Sequence, residues 1–267
     1  MVTLSLADLV VAAVLVVLLA LLSLRLQAGV SGQLLVAAAR TAVQLTLIGL
    51  VLKALFANAQ LGWVSLLALV MLLIAGREVM MRQERRFTGW WGYAVGTFSM
   101  FLSSFAVTVF ALIVILGNAP WYAPQYAIPL LGMLLGNTMS GIAIAMDRLT
   151  TSAWEQRDVI EARLMLGERW DDAIVDLRRK AIRSGLIPII NAMAAAGVVS
   201  LPGMMTGQIL AGAPPVEAVK YQILIMFLIA VGTGFGTLVA ATIGSRRLFD
   251  ERQRLCLDRL YQKQPLD

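Results

Sequence analysis

Residues Ser184–Ala211 read SGLIPIINAMAAAGVVSLPGMMTGQILA, an apolar stretch long enough to cross a membrane but interrupted by Pro202-Gly203. Proline lacks an N–H and its ring clashes with a preceding carbonyl, so a helix breaks at this point. Broken backbone inside a bilayer is tolerated only where it is buried in protein or lines a polar cavity. The residue types leave two interpretations open: a kink that only shapes packing, and a segment of a translocation path.

Composition defines the class of protein. The 267 residues are 59% hydrophobic and 14% charged, with a mean hydropathy of +0.80, whereas a soluble domain carries about a quarter charged residues. We therefore predict an all-α polytopic membrane protein, a single transmembrane domain over residues 1–267. The chain has no His and one Cys, Cys256, which excludes an intrachain disulfide and a zinc site of the Cys/His kind.

Seven apolar runs predict about seven transmembrane helices: Leu4–Leu24, Leu34–Phe56, Leu61–Ala75, Ala94–Leu116, Tyr126–Met146, Ser184–Ala211 and Tyr221–Ile243. Of the 22 Lys and Arg, only Lys53 and Lys220 fall on one face, which leaves 22 − 2 = 20 on the other. The positive-inside rule then predicts an external N-terminus and a cytoplasmic C-terminus, with a basic cytoplasmic tail at 246–267. The net charge of +6 thus reflects membrane orientation and does not indicate nucleic-acid binding. The first run lacks a basic n-region and a cleavage site, which predicts a retained helix.

The one sizeable polar loop, residues 147–183, is predicted to be folded. Apolar residues recur in it at mostly helical spacing, and Gly167 divides them, which predicts two helices with a turn. The apolar stripe would suit docking to a soluble partner, or packing on the lipid interface or the helix bundle. It comprises Val159, Leu166, Trp170, Ile174, Leu177 and Ala181.

Polar groups at membrane depth are the candidates for function, because an amide is costly when it faces lipid. For Gln44 and Asn191 we favour interhelical hydrogen bonding, the commoner role of such groups; Arg40 lies at the mouth of its helix. The candidates for a translocation path are Asn137, Pro202, Gly203, Met204, Met205 and Gln208. Iron prefers carboxylate or imidazole ligands and thioethers suit copper(I), so the metal, if any, stays unassigned. A passing metal ion would be held weakly by amides, carbonyls and thioethers, or would pass as a chelate.

Several motifs resemble a known family. They are Arg40-Thr-Ala-Val-Gln44-Leu, Gly132-Met133, Gly136-Asn137, Ile160-Glu161 through Leu166-Gly167, and Gly197-Val-Val-Ser-Leu-Pro-Gly-Met-Met-Thr-Gly207. Together they are similar to the FetB-type ABC permease family, which includes a bacterial iron-export permease and plant aluminium-tolerance permeases. Within the polar loop, Glu161-Ala162-Arg163-Leu164-Met165-Leu166-Gly167 resembles the EAA loop of ABC importer permeases, a short helix and glycine turn that inserts into a groove on the ATPase subunit. The resemblance implies that Glu161, Ala162, Arg163, Leu166 and Gly167 couple to an ATPase.

The resemblance also implies a function. The chain would be the permease subunit of an ATP-driven transporter in the bacterial cytoplasmic (inner) membrane, and would export iron or a metal-related solute. No Gly-x-x-x-x-Gly-Lys-[Ser/Thr] loop occurs, so we expect no enzyme activity and no cofactor in this chain, with ATP-Mg on a separately encoded subunit. One chain supplies half of a usual ABC membrane domain, which predicts a homodimer. The alternative is a secondary transporter or channel without a partner ATPase.

Overall fold

The computed structural model describes residues 5–27, 29–117 and 119–262. Six of its helices are long and apolar enough to cross a membrane, which confirms the prediction of an all-α polytopic membrane protein. The chain packs as two compact units, Met1–Gln60 and Leu61–Asp267. That these units form a single transmembrane domain stays a prediction.

The first unit is a pair of helices, α1 (Leu6–Arg25) and α2 (Ser31–Ala57), that pack against each other. Helix α1 begins with a capping box: the Ser5 N–H donates to Asp8 Oδ2 at 2.8 Å, and the Asp8 N–H donates to Ser5 Oγ at 3.3 Å. These bonds satisfy N–H groups that a helix start otherwise leaves open. Most apolar side chains of both helices are exposed, as expected of helices that face lipid or other protein.

The second unit opens with α3 (Leu61–Met81), the short strand β1 (Arg85–Phe87) and a span over Trp90–Leu116. This span alternates helix types. It consists of α4 (Trp90–Met100), a π-helical turn at Phe101–Phe105, α5 (Ala106–Phe110) and a second π-helical turn at Ala111–Leu116. Within the first π-helical turn Ser103 is buried and donates to the Ser99 carbonyl at 2.8 Å, so its hydroxyl is satisfied inside its own helix.

Helix α6 (Pro124–Glu155) is the centre of the second unit and packs against α3, α9 and α11. It continues beyond the predicted end at Met146, because the first part of the polar loop prolongs the helix. Helix α11 (Pro215–Arg247) approaches α6 closely through glycines. A Cβ on Gly236 would lie 2.5 Å from Thr138 Cγ2, and one on Gly232 would lie 2.8 Å from Leu134 Cδ2. Such small residues let helix backbones pack tightly without a hydrophobic driving force.

The rest of the polar loop and the predicted sixth span are divided among four helices. These are α7 (Arg157–Met165), α8 (Trp170–Ala173), α9 (Val175–Ala195) and α10 (Gly203–Leu210). The turn predicted at Gly167 is present between α7 and α8. The run Ser184–Ala211 is not one helix: α9 begins upstream in the polar loop and ends at Ala195, and α10 begins after Pro202. The physical reason is the left-handed conformation of Gly197 (φ 82°) together with the proline.

The predicted basic tail is folded as far as Gln262, and residues 263–267 lie outside the described part. After α11 the chain forms a 3₁₀ turn at Leu257–Arg259 and a strand β2 (Leu260–Gln262). Strand β2 pairs antiparallel with β1, with Arg85 opposite Gln262 and Phe87 opposite Leu260. The tail therefore returns to the turn between α3 and α4.

Candidate functional site

The break between α9 and α10 is a self-bonded turn. The N–H groups of Val199 and Ser200 both donate to the Ala195 carbonyl, at 2.9 and 3.1 Å, and the Gly197 N–H donates to the Ser200 carbonyl at 2.9 Å. The amides that lose helical partners at the proline thus find substitutes within the turn. Val198 and Val199 are 89% and 83% exposed. The turn is therefore held by its own backbone while its apolar side chains point away from the described protein.

The two methionines after the break line different cavities. Met204 borders a narrow space of about 40 Å³ that also touches Tyr126, Met133 and Tyr221. Met205 borders a groove of about 480 Å³ together with Pro202. Within the described chain the two thioethers therefore face different spaces, because adjacent helical residues point about 100° apart.

The remaining path candidates are accessible. Asn137 is exposed on α6 and its Nδ2 donates to the Met133 carbonyl, one turn earlier, at 2.8 Å, while Gln208 is half-buried on α10. A Cβ on Gly203 or Gly207 would meet no heavy atom within 4 Å in the part of the chain that is described. These glycines therefore leave a surface to which a second chain or a solute has access.

Arg40, Gln44 and Asn191 are all exposed. Arg40 and Gln44 lie on α2 in the first unit, and Asn191 lies near the end of α9 in the second. Among the described residues of its own unit, neither Gln44 nor Asn191 makes a side-chain hydrogen bond to another helix. Their predicted interhelical role stays a prediction.

Two features of the second unit escaped the sequence reasoning. The first is Gln222, which is only 8% exposed, lines the groove beside Met205, and whose Oε1 has no hydrogen-bond partner among the described residues. The second is a set of fully buried threonine hydroxyls on α6 and α11, also without partners within the described chain: Thr138, Thr233 and Thr237. The sequence pattern that could have indicated these threonines is the four-residue spacing from Thr233 to Thr237, beside Gly232 and Gly236.

The turn after α7 is a Schellman motif. The N–H of Gly167 donates to the Leu164 carbonyl at 3.0 Å, and the N–H of Glu168 donates to the Arg163 carbonyl at 3.2 Å. Gly167 has a φ of 88°, in the left-handed region that favours glycine. The two residues that precede Gly167, Leu166 and Met165, are 85% and 83% exposed. The turn therefore presents a rigid apolar tip.

The side chain of Arg163 fixes this turn through hydrogen bonds and an ion pair. Its Nε donates to Glu168 Oε2 at 2.7 Å, one Nη donates to the Ala173 carbonyl at 3.2 Å, and the same Nη lies 3.5 Å from Asp176. Glu161 and Ala162 are exposed on α7. Arg163 thus ties the end of α7 to α8 and α9, while its neighbours face outward.

The structure divides the predicted apolar stripe. Ile174, Leu177 and Ala181 are buried against the bundle, as in the packing interpretation, and Trp170 is half-buried. Val159 and Leu166 are exposed. Of the predicted stripe, only Val159 on α7 and Leu166 directly after it therefore remain exposed to a partner.

These features define a polytopic α-helical membrane protein with a broken helix in one apolar segment and a rigid turn in its polar loop. The chain belongs to the family described as "Uncharacterised protein family (UPF0014)", whose model matches residues 6–249. This confirms the resemblance seen in the motifs, because proteins named for iron export and aluminium sensitivity are among the relatives.

Three relatives show the range of the family. The chain is 39% identical over 230 residues to the Synechocystis protein "UPF0014 membrane protein slr1647", covering 84% of this chain and 86% of the relative. It is 31% identical over 261 residues to "Probable iron export permease protein FetB" of Escherichia coli, covering 96% of each chain. It is 33% identical over 216 residues to "Protein ALUMINUM SENSITIVE 3" of Arabidopsis thaliana, covering 80% of this chain and 77% of the relative. No solved structure matches the chain.

Proposed function

We propose that this chain is the membrane-spanning permease subunit of an ATP-driven transporter that exports a metal ion such as iron, or a metal-related solute. The E. coli relative, similar over 96% of both chains, carries the name of a probable iron export permease. ATP, with Mg²⁺, is bound and hydrolysed by a separately encoded subunit, since the sequence has no phosphate-binding loop of the Walker type. The relatives are named as permeases or membrane proteins, not as enzymes.

The turn at Gly167 is the observation that carries this proposal. It closes a short helix with two apolar side chains, Met165 and Leu166, more than four-fifths exposed. Exposed apolar side chains grouped in this way on a polar loop are typical of a docking surface. The same residues resemble an EAA loop. We therefore assign Glu161–Gly167 to the contact with the ATPase subunit.

Orientation follows from the basic residues, 20 of 22 of which lie on the face of this turn. That face is the cytoplasmic side of the inner membrane, where ATP is available. Helices α9 and α10 together make a seventh, interrupted crossing. With seven crossings and the positive-inside rule, the N-terminus lies outside and the C-terminus inside.

The open glycines support a homodimer with the path at its axis. Within the described chain there is room for a Cβ at Gly203 and Gly207 on α10 and at Gly136 on α6. The space beside Gly232 and Gly236 is instead filled by side chains of α6. Asn137 and Asn191 are exposed on helices at membrane depth, where amides need polar partners or water. A second copy supplies those partners and encloses Pro202–Gln208.

The test is reconstitution. The purified permease is titrated in lipid nanodiscs with each candidate ATP-binding protein from the same genome, and hydrolysis is followed while iron and other solutes are screened. Saturable binding of one such protein, with hydrolysis stimulated by a transported solute, is expected. In proteoliposomes, solute movement through the permease alone, with no ATP-binding protein bound, would instead establish a secondary transporter or channel.

A further inference from the structure

A groove of about 670 Å³ lies beside the Gly167 turn and has two walls. One wall is the end of α7 and the turn, with Glu161, Leu164, Met165, Gly167, Glu168 and Arg169. The other wall is a piece of the C-terminal tail, with Arg252, Gln253, Arg254 and Leu255. The sequence pattern does not predict that these segments, some 85 residues apart, share a surface.

The tail wall is held in a fixed shape. Asp250 accepts two hydrogen bonds from Arg254: one from its backbone N–H at 2.8 Å and one from its Nε at 2.8 Å. Gln253, between them, has a φ of 61°, and its Oε1 accepts a hydrogen bond from the Trp170 N–H at 3.1 Å. The tail wall is thus bonded directly to the start of α8. The groove is a built feature and not a gap between loose segments.

The tail is also fixed to the helices of the bundle. One Nη of Arg259 donates to the carbonyls of Arg247 and Phe249, at 2.9 and 3.1 Å. Strand β2 then pairs with β1, and the Thr88 N–H donates to the Arg259 carbonyl at 2.8 Å. The tail is therefore attached to α11 at one end and to the turn between α3 and α4 at the other.

We propose that this groove receives a surface segment of the ATP-binding subunit, so that Arg252–Leu255 forms the second half of the ATPase contact. This rests on the proposed function. Three observations select that occupant. The groove is continuous with Glu161–Gly167, and its outer lip carries the exposed Met165. Its walls carry opposite charges that have no ion pair within the described residues, Glu161 on one side and Arg252 on the other. The remaining charged lining residues, Glu168, Arg169 and Arg254, are paired with Arg163, Asp171 and Asp250. A partner segment with one basic and one acidic end is bound in a single orientation by such walls.

A charge reversal tests the tail wall. Arg252→Glu places a third carboxylate in the groove, beside Glu161 and Glu168, and we expect about tenfold weaker binding of the ATP-binding protein identified by the titration above. The matched control is Arg183→Glu, the same change on an exposed arginine of α9 that does not line the groove. The control is expected to bind like the unaltered protein.

Thiol labelling tests occupancy without relying on affinity. In a Cys256→Ser background, Arg252→Cys is treated with a water-soluble maleimide, and its labelling is expected to slow at least fivefold when the ATP-binding protein is bound. If the unaltered permease binds the ATP-binding protein, but Arg252→Glu binds it as tightly as Arg183→Glu does and labelling is not slowed, the inference is overturned and the proposed function stands. Slowing by ATP alone would assign a nucleotide to the groove and also overturn it. If no ATP-binding protein binds the unaltered permease, the proposed function fails first.

Discussion

The backbone N–H of Trp170 donates a 3.1 Å hydrogen bond to Oε1 of Gln253, 83 residues later in the chain. The indole ring of Trp170 also lies 5.8 Å from the ring of Phe249 and 5.1 Å below the guanidinium of Arg246. These contacts join the polar loop to the end of α11 and to the tail. The polar loop and the end of the long apolar helix α11 are therefore joined by packed and hydrogen-bonded groups.

Replacing Gly167 with valine should uncouple ATP hydrolysis from transport. A β-branched residue in the left-handed region costs on the order of 1–3 kcal/mol, so the Schellman turn would rearrange and displace Met165 and Leu166. Hydrolysis per solute moved is measured in proteoliposomes, which enclose the compartment that a transport assay needs. Gly167→Asn is the control, because asparagine tolerates this conformation. Normal coupling in Gly167→Val would place the ATPase contact elsewhere in the loop.

Replacing Gly236 with alanine should destabilise the second unit. The new Cβ would lie 2.5 Å from Thr138 Cγ2 and 2.8 Å from Ser103 Oγ, and overpacking of this kind costs about 1–3 kcal/mol. A lower midpoint of thermal unfolding in mild detergent is expected. Gly234→Ala is the control on the same helix, because no heavy atom of the described chain lies within 4 Å of its Cβ position. Equal midpoints for the two variants would show that the α6–α11 seam relaxes freely.

Cysteines placed after the break should differ in reactivity. In a Cys256→Ser background, Met205→Cys faces the groove of about 480 Å³ and Met204→Cys faces the space of about 40 Å³. We expect faster reaction with a small water-soluble thiol reagent at 205 than at 204, and a change in rate with ATP. Gln208→Cys completes the series. If all three positions stay unreactive with and without ATP, the segment is a packing kink and the path lies near Asn137.

Neutralising Asp250 should loosen the tail. The backbone N–H of Arg254 is the main cause that lowers the pKa of Asp250 below its ordinary value of 3.8, and the Arg254 side chain adds to it. A lowered native pKa means that the stabilisation is fully present above pH 3.8 and is lost as the pH falls through the native value. Hydrogen exchange of tail peptides should therefore be faster in Asp250→Asn than in the unaltered protein at pH 7.

The matched control for that variant is Asp258→Asn, which neutralises a nearby carboxylate in the 3₁₀ turn. The ratio of the two exchange rates, measured at the same pH, removes the intrinsic pH dependence of exchange. This ratio should approach one as the pH falls below the native pKa of Asp250. A ratio of one already at pH 7 would show that the Asp250–Arg254 pair does not hold the tail wall.

Topology reporters should follow the basic residues. A reporter fused after Asp267 should be cytoplasmic, and one inserted between Asn118 and Ala119 should be external, because 20 of the 22 Lys and Arg lie on the predicted inner face. A dual alkaline-phosphatase and fluorescent-protein assay distinguishes the two sides. If both reporters were found on the same side, the number of crossings between the two reporter positions could not be odd, and the predicted topology would be wrong.

The sequence alone determined the class of the protein, the break at Pro202 and the turn at Gly167. Hydropathy and the conformations that proline and glycine allow or forbid are local properties, so they can be read residue by residue. The family resemblance was also legible, because its motifs lie in short contiguous segments.

Only the tertiary structure decided which glycine pairs are in use. Gly232-x-x-x-Gly236 and Gly203-x-x-x-Gly207 have the same spacing, yet the first is filled by α6 and the second is open in the described chain. Likewise, the sequence predicted the tail only as a basic segment. It did not indicate that the tail pairs with β1 or that Gln253 accepts a hydrogen bond from Trp170. Both outcomes depend on contacts between residues far apart in the chain, and spacing along one helix or strand does not specify which distant surface will meet it.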